Sequence, residues 1–463
     1  MAASIQQVDM TQGAVLPKVI RFSLPLAATG VLQLLFNAAD VVVVGKFAGA
    51  TALAAVGATT ALINLLVNVF MGVSVGVNIL VARYLGCREE EHVRRCVHCS
   101  LSLSLLLGLI VMVAGLVLST PLLRLMQTPD DVLPLSSLYL RIYFLGMPGS
   151  IMYNFAAAVL RAFGDTKKPM IFLTVSGVIN ALLNLFFVIV CHMSVDGVAT
   201  ATVISQYVSL VLVVRCLCRS EGLSHLSLRE IRFDKEESLR MIQIGLPAGL
   251  QSMLFNISNV MVQSAVNSFG SNVIAASTAA SNLEGFIYTA MNAVFHAAIT
   301  FTSQNLGAGR LDRIKNVLGA CLTTVLMIGL PMCAICYFFG PSLLSIYVSS
   351  TDPSYADVIH YGLGRLSTIA YYYFLCGIME VLCGMVRGLG RTWIPLFVTA
   401  GGACLSRIIW IYTIFQLFRT PEVLYLSYPM SWILTLSLHA ICFAVIYRQY
   451  QKKMAAEQAA ATT

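Results

Sequence analysis

Apolar stretches long enough to cross a bilayer recur along the chain, separated by short polar turns. They fall at residues 17–45, 52–82, 96–118, 133–160, 169–191, 196–214, 241–268, 273–304, 317–339, 355–386, 393–418 and 424–447, which predicts twelve spanning helices. A helix of about 20 residues crosses hydrocarbon roughly 30 Å thick, and each stretch meets that requirement. Inside lipid every backbone N–H and C=O must find its partner within the protein, so only helices and closed barrels can span. The runs lack the short in-out alternation of a barrel strand, and the expected fold class is an all-α membrane protein.

Composition narrows the function. Of 463 residues, 58% are apolar and 11% charged, against about 25% charged in soluble domains. A water-soluble enzyme is thereby excluded. The net charge of +8 arises from 29 Lys and Arg against 21 Asp and Glu, and in a membrane protein their placement matters more than their sum. Both termini and the connections after even-numbered spans hold 23 of the 29 cations; the rest are Lys46, Arg124, Arg141, Arg365, Arg407 and Arg419. Positive charge gathers on the cytoplasmic side, so both termini are expected there, in a multi-pass protein of the cytoplasmic (inner, plasma) membrane. No basic, aromatic-rich patch suggests a nucleic-acid partner. Most of the 13 cysteines lie in apolar runs, where a thiol acts as a small hydrophobe. Cys96 and Cys99, with His92 nearby, superficially resemble metal ligands, yet no second ligand pair follows and no metal is expected there. A cleavable signal peptide is not expected either, because the first apolar run is long enough to span.

The chain repeats itself. Shifted by 221 residues, Gly49–Arg88 overlies Gly270–Gly309 with eight identities in forty positions, including Leu85-Gly86 against Leu306-Gly307. A second match sets LRAFGDTKKP, Leu160–Pro169, against VRGLGRTWIP, Val386–Pro395, and Pro25 and Pro247 occupy equivalent places. Each repeat holds an even number of spans, so both halves enter the membrane with the same orientation. The expectation is two pseudo-symmetric six-helix lobes around a central cleft: 1–218, a cytoplasmic linker at 219–238, a second lobe at 239–448 and a cytoplasmic tail at 449–463. Substrate and ion sites of such two-lobed transporters lie near the membrane midplane.

Several polar groups fall where hydrocarbon should exclude them. An ionised carboxylate at a helix centre costs about 2.5–3.5 kcal/mol on insertion scales, so Asp40, Glu284 and Glu380 each need a partner, a proton or water. Gln33, Asn37 and Asp40 share one face of the first span, as do Asn180 and Asn184 in the fifth and Thr202, Ser205 and Gln206 in the sixth. A carboxylate among amide and hydroxyl oxygens suits a hard cation or a proton. The same groups also serve as interhelical hydrogen bonds, worth about 0.6 kcal/mol each. In the second half Glu284, Tyr288, Asn292 and His296 form a stripe suited to lining a cleft, and Ser252, Asn256, Asn259 and Gln263 form another. Glu380 and Arg387, seven residues apart, stand about 10 Å apart along a helix, too far to pair. Arg407 is therefore the expected counter-ion of Glu380 or Glu284. His296 is either a proton relay or a packing residue. Pro25 removes a hydrogen bond near the start of the first span, where a bend is expected. Neither a Walker A sequence nor a nucleophile elbow is present, leaving ATP hydrolysis and serine chemistry unsupported.

With these residues in view, the chain resembles the multidrug and toxic compound extrusion (MATE) family. The resemblance is carried by LPLAATGVLQLLFNAADVVVVGKFAG in the first span, by the endings VARYLGCR and TSQNLGAG, by the two glycine turns above and by DGVATATVISQ. It implies a non-enzymatic secondary antiporter that exports organic cations or drugs in exchange for H+ or Na+ by alternating access. It also implies a cation-coupling site at Asp40, Asn180, Asn184 and Thr202, with possible Na+ binding there and no other cofactor or metal. Asn184 departs from the family, many of whose members carry aspartate at that place; a lone acid serves a proton but makes a weaker sodium site. Gln33, Asn37, Asn154, Gln206, Glu284, Tyr288, Glu380 and Arg407 are the expected substrate-cleft residues, and Pro25 the bend in the first helix. The expected partners are the lipid bilayer and small organic, cationic substrates, with the protein acting as a monomer. A flippase for a lipid-linked saccharide is the alternative, but it calls for a strongly cationic cleft. A membrane enzyme or a channel fits the repeat and its midplane acid less well.

Overall fold

A computed structural model describes residues 8–126, 128–348 and 353–462. Among them there are helices and no strands. In chain order the α-helices are α1 Val15–Val43, α2 Ala50–Cys87, α3 Glu90–Leu125, α4 Leu133–Leu145, α5 Met147–Ala162, α6 Lys167–Leu185, α7 Val195–Cys218, α8 Lys235–Asn267 and α9 Ser271–Gly307. They continue with α10 Leu311–Phe338, α11 Gly340–Leu344, α12 Tyr355–Ile369, α13 Tyr373–Gly388, α14 Trp393–Thr399, α15 Ser406–Tyr412, α16 Ile414–Leu417 and α17 Pro421–Thr462. Nine segments of the described residues are long and apolar enough to span, and α4 with α5 makes a tenth, bent by 45°. Gly146 lies at that bend, and Pro148 enters the first turn of α5, a place where its missing N–H costs nothing. The remaining two spans are α8 and α9, of 33 and 37 residues, whose polar stripes dilute their hydropathy. Together these make the twelve-helix, two-lobe architecture.

The chain forms two compact units, Met1–Asp9 with Ala28–Gly249, and Met10–Ala27 with Leu250–Thr463. In the first, α5 is sandwiched among α2, α3 and α7, burying Phe155, Ala156 and Leu160 completely. In the second, α9 and α13 pack together and are flanked by α10 and α17, around Phe301, Val381 and Met385. One division falls inside α1, two residues after Pro25. The segment before it belongs to the second unit through Met10, whose N–H donates to Gln304 Oε1 at 3.1 Å, and through Phe22, edge-on to Phe301 with ring centroids 5.7 Å apart.

Residues up to Gly249 of α8 belong to the first unit. Gly72 of α2 faces Gly249 so closely that a Cβ on it would stand 2.1 Å from the Gly249 nitrogen; such small-residue contacts hold membrane helices where no hydrophobic force between them operates. The polar stretch 219–238 is fastened to α3. Ser227 N–H donates to His98 Nε2 at 3.1 Å, Ser102 Oγ donates to the Arg232 carbonyl at 3.0 Å, and Arg94 pairs with Glu230. The Arg94 hydrogen bond holds the exposed Glu230 carboxyl below its ordinary value, so whatever this pair contributes is present above that value and lost as pH falls through the depressed one. Cys96, His92 and Tyr84 surround the buried Glu237 carboxylate, and Cys99 meets Ser238 and the Asp234 carbonyl. No group of three His, Cys, Asp or Glu side chains among the described residues is placed so that it could hold a metal ion. These cysteines anchor the start of α8.

The repeat is written into the backbone. Gly49 and Gly270, 221 positions apart, precede α2 and α9 with φ of +91° and +93°, and Gly164 and Gly390, 226 apart, turn at +88° and +84°. Only glycine adopts such angles without strain.

Gly72→Val forces α2 away from α8 and is expected to destabilise the protein by about 1–3 kcal/mol. Gly319→Ala, on an exposed helical site with nothing within 4 Å, is expected to be neutral or stabilising. Thermal unfolding in detergent checks both.

Candidate functional site

Asp40 stands four residues before Val44, where α1 gives way to a π-helical turn, Val44–Ala48, and Asn184 stands two residues before Phe186, where α6 passes into another, Phe186–Val190. Such turns widen a helix locally and recur at functional sites. Phe36 of α1 lies against Gly177 of α6, where a Cβ would come within 2.1 Å of the ring, so the two helices approach closely just before Asp40.

The Asn184 amide nitrogen donates to Asp40 Oδ1. Asn180, with its amide turned so that nitrogen faces the carboxylate, donates to Oδ1 at 2.9 Å and Oδ2 at 3.2 Å, while its oxygen accepts from Thr202 N–H at 3.3 Å. Four residues from α1, α6 and α7 thus meet in the first unit. Asp40 takes part in no ion pair formed by the described residues, so neutral dipoles alone surround its charge. Asn184 is fully buried, and its Oδ1 has no hydrogen-bond partner. A carboxylate beside a buried acceptor that lacks a donor is a donor set suited to a hard cation or a proton.

Of the other expected residues in this unit, Gln33 and Asn37 are exposed on α1. Asn154 donates to the Ser150 carbonyl at 2.8 Å within its own helix. Gln206 faces the α4–α5 bend, its Oε1 2.0 Å from where a Cβ on Gly146 would stand. Ser205 donates to the Thr202 carbonyl at 2.8 Å. The predicted face of α7 therefore divides, with Thr202 at the Asp40 cluster and Gln206 at the bend.

In the second unit Glu284 is not paired with Arg407. Arg365 of α12, the helix packed on α9, donates to it through Nε at 2.9 Å and NH2 at 2.8 Å, and gives NH1 to Ser277 Oγ at 2.7 Å. Tyr425 and Tyr428 flank the same guanidinium, their ring centroids 5.3 and 5.7 Å away. Sequence reading missed Arg365 because 81 residues separate it from its partner; the available signal was Ser277 and Glu284, seven apart on one face of α9. Arg407 instead donates to Ser431 Oγ at 2.9 Å and Asn259 Oδ1 at 3.2 Å, so it is no counter-ion to Glu380 either. Glu380 is buried and enters no ion pair among the described residues. Arg387, the nearest cation along α13, donates to Gln251 Oε1 at 2.5 Å. Tyr288 is exposed, and its hydroxyl accepts from Asn292 at 3.4 Å.

Breaking a buried ion pair from one side strands a charge at a cost of about 3–5 kcal/mol. Glu284→Gln and Arg365→Met are each expected to destabilise by that order, and the double variant by clearly less than their sum. A double-mutant cycle on thermal unfolding measures the coupling.

The chain has relatives among known proteins. The family profile described as MatE matches residues 25–186 and 247–413, covering both repeats. The probable multidrug resistance protein YpnP of Bacillus subtilis (strain 168) is 28% identical over 82% of this chain and 84% of its own length. A protein of Shewanella oneidensis named as an FAD transporter is 25% identical over 70% of this chain and 72% of its own. Among solved structures, a MOP superfamily transporter from Pyrococcus furiosus superposes with a TM-score of 0.85 at 21% identity, covering 98% of this chain and 99% of that one. With the profile spanning most of the chain, this membrane protein belongs to the MatE family of multidrug efflux transporters and is not an enzyme.

Proposed function

We propose that the chain is a secondary active antiporter that exports small organic compounds, cationic ones included, in exchange for H+ or Na+ by alternating access, with Asp40 as the coupling acid. One observation carries this reading: a half-buried carboxylate held only by neutral amides, next to the donorless oxygen of Asn184. A carboxylate locked to a guanidinium keeps its charge; one held by amides gains or loses a small cation at modest cost. Neutralising it lowers affinity for a cationic substrate, and the ion returns inward as the lobes alternate. Pro25 in α1 is the point where that helix bends during the cycle. Each proton entering down 100 mV supplies about 2.3 kcal/mol, nearly fiftyfold in the concentration ratio of a neutral substrate. The cation bias along the chain supports cytoplasmic termini and a plasma-membrane location. The protein works as a monomer.

Asp40→Asn is expected to abolish ethidium efflux driven by an imposed pH or sodium gradient in proteoliposomes, while the protein still folds and reconstitutes. Undiminished driven efflux by that variant would exclude the reading. Asn184→Asp restores a second carboxylate and is expected to increase the response to a sodium gradient relative to a pH gradient, measured in the same vesicles with each gradient imposed separately.

A further inference from the structure

Three of the seven histidines meet where the polar stretch 219–238 lies on α3, His92 and His98 on the helix and His225 on the stretch itself. His225 Nδ1 meets the Ser220 carbonyl at 3.0 Å, within its own loop. His98 is buried, and its two ring nitrogens are engaged in opposite senses. Nδ1 lies 2.8 Å from the Arg94 carbonyl, which can only accept, so this nitrogen carries the proton. Nε2 receives the Ser227 N–H at 3.1 Å, and an N–H can only donate, so this nitrogen is bare. The two contacts fix a neutral imidazole in one tautomer. A backbone N–H of the stretch is thereby held by the lone pair that a proton would take.

An alternative partner stands ready. Glu230 Oε2 is 3.8 Å from the same Nε2. Glu230 belongs to the turn that Ser227 opens, its N–H donating to the Ser227 carbonyl at 3.0 Å. Its side chain is 44% exposed and is shared with Arg94. The start of α8 is occupied elsewhere, since Glu237 is taken by His92, Cys96 and Tyr84, and Cys99 turns to Ser238 and the Asp234 carbonyl. Nε2 therefore faces Glu230, with Arg94 and His225 acting on that carboxylate from either side.

We propose that His98 is a proton-binding site, separate from the Asp40 cluster, that latches the stretch 219–238 to α3 while neutral and releases it when charged. A proton taken from water lands on Nε2. The Ser227 N–H then faces another N–H and loses its acceptor, and the imidazolium donates to Glu230 in competition with Arg94. The latch is closed at high pH and opens as pH falls through the range of about 8 to 5 in which histidine changes charge. The stretch joins the two repeats on the face where the chain's cations gather, expected to be cytoplasmic. In an exporter driven by protons this is the compartment that transport acidifies, and the latch makes the join between repeats respond to it; the latch itself does not depend on that reading.

Hydrogen exchange of the purified full-length protein in detergent, corrected for the intrinsic pH dependence of exchange, reads the latch at the amides of residues 225–232, with α13 as reference. From about pH 8 to about pH 5.5 the wild type is expected to lose about tenfold in protection over this stretch relative to the reference. His98→Gln offers an amide oxygen as acceptor and takes up no proton, so its protection should not vary with pH. A merely structural histidine would leave the two profiles alike. Glu230→Gln, at a position open to water where folding is not at stake, withdraws the partner of the cation and should move the midpoint of the loss to lower pH. A wild type whose protection is constant, a His98→Gln variant that opens with the wild-type profile, or an unmoved midpoint in Glu230→Gln overturns the proposal. No transport is measured, so failure here and failure of the Asp40 reading register in different experiments.

Discussion

A charge held within the depth of a bilayer has no water to fall back on, and the identity of its protein partners decides whether it is fixed or free to change. The two units answer this demand in opposite ways. In the first, Asp40 is met by the amides of Asn180 and Asn184, which are neutral in every state. In the second, Glu284 is met by a bidentate guanidinium, further held by Ser277 and two tyrosine rings. The Coulomb attraction between opposite unit charges a few ångströms apart grows as the surroundings become less polar, so the second arrangement ties its two helices together more firmly than the first. A coupling acid belongs in the first kind of environment. Asp40 therefore suits exchange of a small cation, and Glu284 suits holding α9 against α12.

Helix geometry supports the same division. Four residues after Asp40 and two after Asn184 the backbone passes from α to π, widening each helix close to the cluster. No such turn follows Glu284, which sits within the unbroken Ser271–Gly307 helix. A third π segment, Ala400–Leu405, leads into Arg407, whose hydrogen-bond partners Ser431 and Asn259 are neutral.

What was legible in the sequence follows from range. Periodicity reports one helix at a time, so the twelve spans, the shared face of Asn180 and Asn184, and the oddity of Asp40 all show. Self-comparison reports backbone constraints that recur, so Gly49 with Gly270 and Gly164 with Gly390 are found, and each pair proves to share its positive φ. Pairings across helices are invisible to both. Arg365 lay inside the predicted span 355–386 but gave no sign that it would reach Glu284, while Arg407 looked like a counter-ion because it was placed mid-span. The stretch 219–238 is polar enough to pass for a free linker, yet its polar groups are spent on α3. Cys96 and Cys99 had the spacing of ligands but turn toward Glu237 and Ser238, a role that becomes visible only once α8 is set beside α3.

The same turns frame both units, and the charges they frame differ in sign. Duplication preserves what the backbone requires, because a glycine at φ near +90° has no substitute. Side chains at bilayer depth are under no such obligation, provided each polar group is satisfied or reserved for a ligand. Asn184 Oδ1 is an acceptor without a donor, and Arg407 NH2 is a donor without an acceptor. The two repeats thus leave polar atoms of opposite character unmatched at comparable burial.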